Sequence, residues 1–299
     1  MLPLCQVGHM FPDKRAKMEM AAMKEDIHFS PEDQRFIDRA IDFCQRMGER
    51  AVLMLVGSRA ANFADEWSDL DLCIIGDKRC LSDEDRRTYE QNQQLFVDRG
   101  DYEAHWSFFD EGDLQAWLEK WPNEMMWIIA TSQSLYGCST TAEELKRRFC
   151  RYPRSIAENK LKWMFGKYYY SQRGPLAMAA RSHVEMAFVA VGNVIEYLCK
   201  ICCIADRQPF PYSKWLVAAA KQTQLGVTVY PSIQRAVDGI GEFLHPPTDR
   251  HWRDWVPVKE LRATLPIVQN GLKELGWGCD WIDNPERVYF EETVKRPEP

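Results

Sequence analysis

Two acids spaced two apart, Asp69 and Asp71, stand in an apolar run with Leu70, Leu72, Ile74 and Ile75. On a strand, residues i and i+2 leave the same face, so both carboxylates point one way. Like charges that close repel and drive a carboxyl pKa upward unless something positive lies between them. A divalent metal is the usual remedy, and carboxylate oxygen is what Mg²⁺ prefers. The other half of the unit lies upstream, where an apolar strand over residues 52–56 runs into Gly57-Ser58. Gly57 permits close backbone approach, and Ser58 with the N–H groups after it suits a phosphate at a helix N-terminus. Residues 51–75 thus read as strand, tight turn, short helix or loop, and a second strand carrying two acids.

This pattern, Leu55-Val56-Gly57-Ser58 followed by Asp69-Leu70-Asp71-Leu72, resembles the nucleotidyltransferase superfamily that includes DNA polymerase β and the small antibiotic nucleotidyltransferases. The resemblance implies Mg²⁺ held by Asp69 and Asp71, a nucleoside triphosphate (ATP by preference) as substrate, and Gly57 and Ser58 on its β- or γ-phosphate. Arg59 either helps there or points to solvent. It also implies a third carboxylate on a later strand, and Tyr102-Glu103-Ala104 offers Glu103 as catalytic and metal-binding residue, with Asp101 and Asp110 as competitors. His105 leaves the same strand face as Glu103. It is either a nucleotide or substrate contact or a hydrogen-bonded core histidine. A second stretch, Pro211-Tyr212-Ser213-Lys214-Trp215-Leu216, resembles a motif in bacterial nucleotidyltransferase-domain proteins with a helical C-terminal domain. There Lys214 either meets triphosphate or pyrophosphate or is solvated. In some antibiotic-modifying relatives a carboxylate of the helical domain is the general base, which makes Glu185 and Glu196 the candidates by position.

The elements that must position these residues follow from local signals. Residues 1–29 form a lead-in, with a short helix expected over residues 18–26. Ser30-Pro31-Glu32-Asp33 is a helix start, with a capping Ser, Pro in the first turn and acids beside it. The helix runs to about Met47 on an apolar stripe of Phe36, Ile37, Ala40, Ile41 and Cys44, and Gly48 stops it. After the two strands, a polar helix is expected over residues 83–96, a turn at 99–101 and an aromatic strand over 102–109. A short helix over 113–120, a compact apolar segment over 123–132, an edge strand near 134–137 and a helix over 142–151 complete this part. Beyond Pro153 the texture is helical, with helices over 153–173 and 176–204, another containing Lys214 and Trp215, and further ones over 231–244 and 258–275. The expected fold is α+β: a small mixed β-sheet nucleotidyltransferase domain with flanking helices over 30–152, then an α-helical bundle domain over 153–299.

Composition narrows the classes. A net charge of −6 without clustered Lys and Arg weighs against a nucleic-acid partner and permits a cationic acceptor. No apolar run reads as long enough to span a bilayer, and the N-terminus lacks a signal-peptide pattern, so no membrane partner is expected. The cysteines sit among Leu, Ile and Phe, which suits a reducing cytoplasm. Cys199-x-x-Cys202 has zinc-like spacing but no second pair, and reads as core. The 11 tryptophans imply large packed surfaces or a stacking site. The expected activity is Mg²⁺-dependent transfer of a nucleoside monophosphate, AMP by preference, to a hydroxyl of a small molecule such as an antibiotic. The alternatives are a toxin-type enzyme that modifies a protein or tRNA, and a nucleotide-binding module without transfer.

Overall fold

The chain adopts an α+β fold in which a small mixed sheet precedes a helical region; the computed structural model describes residues 28–92, 94–99 and 103–295. The helix expected over 18–26, the turn at 100–101 and the last four residues lie outside them. Helix α1 (Pro31–Met47) starts as the sequence demands. The Asp33 amide donates to Ser30 Oγ at 3.0 Å, and the Ser30 amide donates back to the Asp33 carboxylate at 2.8 Å. This reciprocal cap satisfies two amides that the first turn would otherwise leave unpaired.

The sheet contains β1 (Val52–Leu55), β2 (Leu70–Ile75), β3 (Gln94–Arg99), β4 (Glu103–Phe109) and β5 (Gln133–Tyr136) in the order β3-β4-β2-β1-β5. Strand β1 runs antiparallel to both β2 and β5, β3 runs antiparallel to β4, and β2 and β4 are parallel. A four-residue helix α2 (Gly57–Ala60) links β1 to the loop before β2. Alternation sorts the side chains between two faces. Leu53, Leu55, Leu70, Leu72, Ile74, Trp106 and Phe108 pack with α1 on one. On the other, Val52, Met54, Val56, Cys73, Ile75 and Phe109 meet α4 (Glu111–Lys120), α5 (Asn123–Thr131) and α6 (Ser139–Phe149). Each buried Leu or Ile contributes about 1.5–3 kcal/mol. These apolar rows therefore hold the strands in a register that two adjacent carboxylates alone would oppose.

The helical part comprises α7 (Arg154–Arg173), α8 (Pro175–Ser182), α9 (Val184–Ala205), α10 (Ser213–Lys221), α11 (Gln224–Asp238) and α12 (Val256–Glu274), followed by short turns. Its core runs from Tyr152 to Ile282, with Phe165, Tyr168, Leu198, Leu261 and Leu272 fully buried. Cys199 and Cys202 are buried in that core within α9, as their apolar setting implies.

Several local expectations are corrected. The polar helix after β2 covers only Asp83–Asn92, and Gln94–Arg99 is strand β3. Leu95, Phe96 and Val97 are consecutive apolar residues, which carry no helical period. The compact segment at 123–132 is helix α5. The single helix expected over 176–204 is two, because His183 takes an extended conformation that no Gly or Pro announces. Helix α11 begins at Gln224, where the Thr223 hydroxyl accepts from the Gly226 amide, and it continues through Pro231. The expectation that no segment could span a bilayer also needs amending. By length and composition alone α9, with a mean hydropathy of 1.7, could cross one. Glu185, Asn193 and Glu196 mask that in a linear reading, and 56% of its most apolar window is buried within the fold.

Candidate active and metal site

The parallel pairing of β2 with β4 builds the site. Asp71 lies directly beside His105 in the register, and both leave the sheet on the face opposite α1. Asp69 stands one step before β2, and its carboxylate lies 3.3 Å from His105 Nε2. One ligand atom from each of Asp69, Asp71 and His105 can be chosen so that all three lie within 4.8 Å of one another. Two carboxylate oxygens and an imidazole nitrogen converging at that spacing are a donor set that fits one divalent cation.

Gly57 explains how the acids come so close to the end of β1. Its φ is +70°, and a Cβ there would sit 2.3 Å from Asp71 Oδ2. The Val56 amide donates to the Asp71 carbonyl at 2.9 Å, clamping the strand ends together. A side chain at position 57 would displace the carboxylate.

Residues from both parts of the chain enclose a cavity of about 320 Å³ around this cluster. Gly57, Asp69, Asp71 and His105 form its floor, with Met125 and Ile128 of α5 on one wall and Tyr212 and Lys214 on another. That volume falls at the lower end of small-molecule sites, about 300–1,000 Å³. An aromatic chain fixes the second wall. Phe63 stacks on Trp127 at 6.2 Å and on Trp215 at 5.8 Å, and Trp127 meets Tyr212 edge-on at 6.3 Å. The Lys214 ammonium lies 5.1 Å over the Trp215 ring. Burial first, then the charges of Asp71, Asp69 and Glu124, raises the Tyr212 phenol above its ordinary pKa. Tyr212 lines the same cavity as Asp69 and Asp71. A cavity of similar size, about 330 Å³, lies on the α1 side between Arg39, Arg46, Asp85 and Trp106, where carboxylates and guanidiniums are mixed.

Of the residues singled out in the sequence, Gly57, Asp69, Asp71 and Lys214 meet at this cavity. Ser58 is buried and does not line it. Arg59 is turned to another task. Its guanidinium pairs with the buried Asp33 carboxylate at 2.9 Å and donates to the Ser68 carbonyl at 2.9 Å. Glu103 opens β4, paired with Arg99 of β3, and its side chain lies outside the described residues. Of its competitors, Asp110 caps α4 and pairs with Lys78 at 2.7 Å, away from the cluster, and Asp101 lies outside the described residues. Neither Glu185 nor Glu196 lines the cavity, and Glu196 pairs with Lys200. His105, which the sequence left between core and contact, belongs to the cluster. Its alternation with Ser107 and Phe109 on β4 was the available signal; the pairing with β2 was not. The α5 wall had no sequence signal beyond apolarity.

Residues 37–120 match the family model described as a nucleotidyltransferase domain. No curated protein matches the chain. One similar solved structure is a nucleotidyltransferase-like protein from Exiguobacterium sibiricum 255-15, with 11% identity over 87% of this chain and 80% of that one, at a TM-score of 0.42. The stretch that carries Gly57, Asp69, Asp71 and His105 matches a nucleotidyltransferase domain.

Proposed function

We propose that this protein is a metal-dependent enzyme that transfers a nucleoside monophosphate from a nucleoside triphosphate, ATP by preference, to a hydroxyl of a small acceptor. The observation that carries the reading is the convergence at one cavity of Asp69, Asp71 and His105 with Gly57, all four within the stretch that matches a nucleotidyltransferase domain. When bound, a divalent cation such as Mg²⁺ would neutralise triphosphate charge and favour ionisation of the attacking hydroxyl. The chain's own residues do the rest. Asp69 and Asp71 would hold the cation, and Glu103, at the first position of β4, is proposed to add a third carboxylate. The backbone at Gly57, which lines the cavity without a side chain, would let phosphate approach there. Lys214 supplies positive charge at the opposite wall, where β- and γ-phosphates would leave as pyrophosphate. Tyr212 presents a phenol to the same space. Met125 and Ile128 exclude water from one side, which strengthens each charge interaction within.

The acidic balance of the chain favours a cationic acceptor, such as an aminoglycoside-like antibiotic. The core break near Tyr152 supports a division into a catalytic domain over 30–152 and a helical domain over 153–299. The free thiols of the described cysteines support a reducing, cytoplasmic setting.

Titration calorimetry with nucleoside triphosphates, with and without divalent cation, tests the reading. The native protein should bind triphosphate only with the cation, and the double variant Asp69→Asn, Asp71→Asn should lose that binding while keeping its melting temperature within a few degrees. Metal-dependent binding that survives in the double variant would place the site elsewhere. Lys214→Ala should weaken triphosphate affinity by about ten- to hundredfold, as expected for loss of one charge-assisted contact of about 1.5–3 kcal/mol. An unchanged dissociation constant would return Lys214 to solvent.

A further inference from the structure

The register of β2 against β4 sets an imidazole where a carboxylate-only site would have oxygen. His105 lies directly beside Asp71, and its Nε2 is 3.3 Å from the Asp69 carboxylate. Its side chain is 16% exposed, so the ring is largely held by the sheet rather than swung in water. All three ligand atoms fall inside a 4.8 Å span. Mg²⁺ keeps to oxygen ligands and near-ideal octahedral geometry. Imidazole nitrogen is a softer donor than carboxylate oxygen, and first-row transition ions, Mn²⁺ the weakest binder among them, accept it more readily than Mg²⁺ does.

We propose that His105 is a metal ligand of this centre and that it biases the site toward Mn²⁺-class transition ions over Mg²⁺. The proposal rests on the reading of this cavity as a metal-dependent nucleotidyltransferase site and names the ion class that site selects. Mg²⁺ would be held through the carboxylates of Asp69 and Asp71 alone. His105 adds a donor that only the transition ion exploits. The discriminating quantity is therefore the effect of removing the imidazole on each ion separately. A bare comparison of native affinities is not enough, because Mn²⁺ exceeds Mg²⁺ at many carboxylate sites.

The test uses the full chain with Mn²⁺ and Mg²⁺ as probes. Free Mn²⁺ is counted by electron paramagnetic resonance, and Mg²⁺ is measured by competition against bound Mn²⁺. His105→Ala and His105→Gln should each weaken Mn²⁺ binding by about tenfold or more, while Mg²⁺ affinity changes by less than about threefold. In native protein labelled with ¹⁵N-histidine, pulsed resonance of bound Mn²⁺ should show coupling to one imidazole nitrogen. That measurement needs no variant and stands even if the substitutions unfold the chain. Equal loss of both ions on substitution, or no histidine coupling in the native protein, overturns the role of His105 and leaves the nucleotidyl-transfer reading intact. If native protein binds neither ion, with or without ATP, both fall together.

Discussion

At the scale of single residues, Gly57 is where backbone freedom and chemistry meet. Its φ of +70° and the 2.3 Å approach of Asp71 Oδ2 to the position a Cβ would take leave no room for any side chain. The positive φ alone costs a non-glycine residue about 1–2 kcal/mol. The larger consequence is displacement of the Asp71 carboxylate, since a shift of about 1 Å in a catalytic group costs about 100-fold in rate. Gly57→Ala should therefore lower nucleotidyl transfer by about two orders of magnitude while shifting the melting temperature only slightly. Near-native turnover, measured with radiolabelled triphosphate, would show that Asp71 tolerates the move. Glu103→Gln should likewise slow transfer by orders of magnitude if its carboxylate joins the cluster, and a mild effect would hand the third position to another group.

At the scale of elements, the loop that delivers Asp69 is tied to the start of α1 through Arg59. The guanidinium bridges the buried Asp33 carboxylate and the Ser68 carbonyl, one residue before Asp69. Asp33 thus serves both as capping partner of Ser30 and, through Arg59, as anchor of the loop before Asp69. Removing the arginine strands a buried carboxylate, and breaking such a pair costs about 3 kcal/mol. Arg59→Ala should show that loss in urea unfolding, and adding Asp33→Asn should recover part of it because the stranded charge is gone. A double variant no more stable than the single one would mean that the pair contributes little. In the proposed function Arg59 would therefore act through the position of Asp69 and not by touching phosphate.

At the scale of the whole molecule, buried thiols make stability sensitive to alkali. Burial pushes Cys44, Cys73 and Cys199 up to about 12 and raises Cys202 and Cys203 further. An unfolded chain ionises its thiols near about pH 8.5, while the native state keeps these protons. Between about pH 9 and 12 the unfolded state binds fewer protons, so stability falls as pH rises, by up to about 1.4 kcal/mol per pH unit for each thiol. Below the ordinary thiol pKa both states are protonated and the contribution is flat. Urea midpoints should drop from pH 8 to pH 10, and Cys199→Ala should make that drop shallower. Equal midpoints at the two pH values would contradict the burial of these groups in the native fold.

Short-range order carried much of this protein in plain view. The Gly-Ser turn, the Asp-x-Asp spacing, the Ser30 cap and the aromatic strand are each set by neighbours within a few residues, where steric and hydrogen-bond preferences act locally. Pairing between distant segments is not written there. That Asp71 faces His105, that Arg59 turns toward Asp33, and that Tyr212 and Lys214 wall a cavity floored by residues more than a hundred positions earlier all follow from strand register and interlocking aromatic rings. Register depends on which apolar faces bury together, a property of two segments at once, and so it emerges only when the chain has folded.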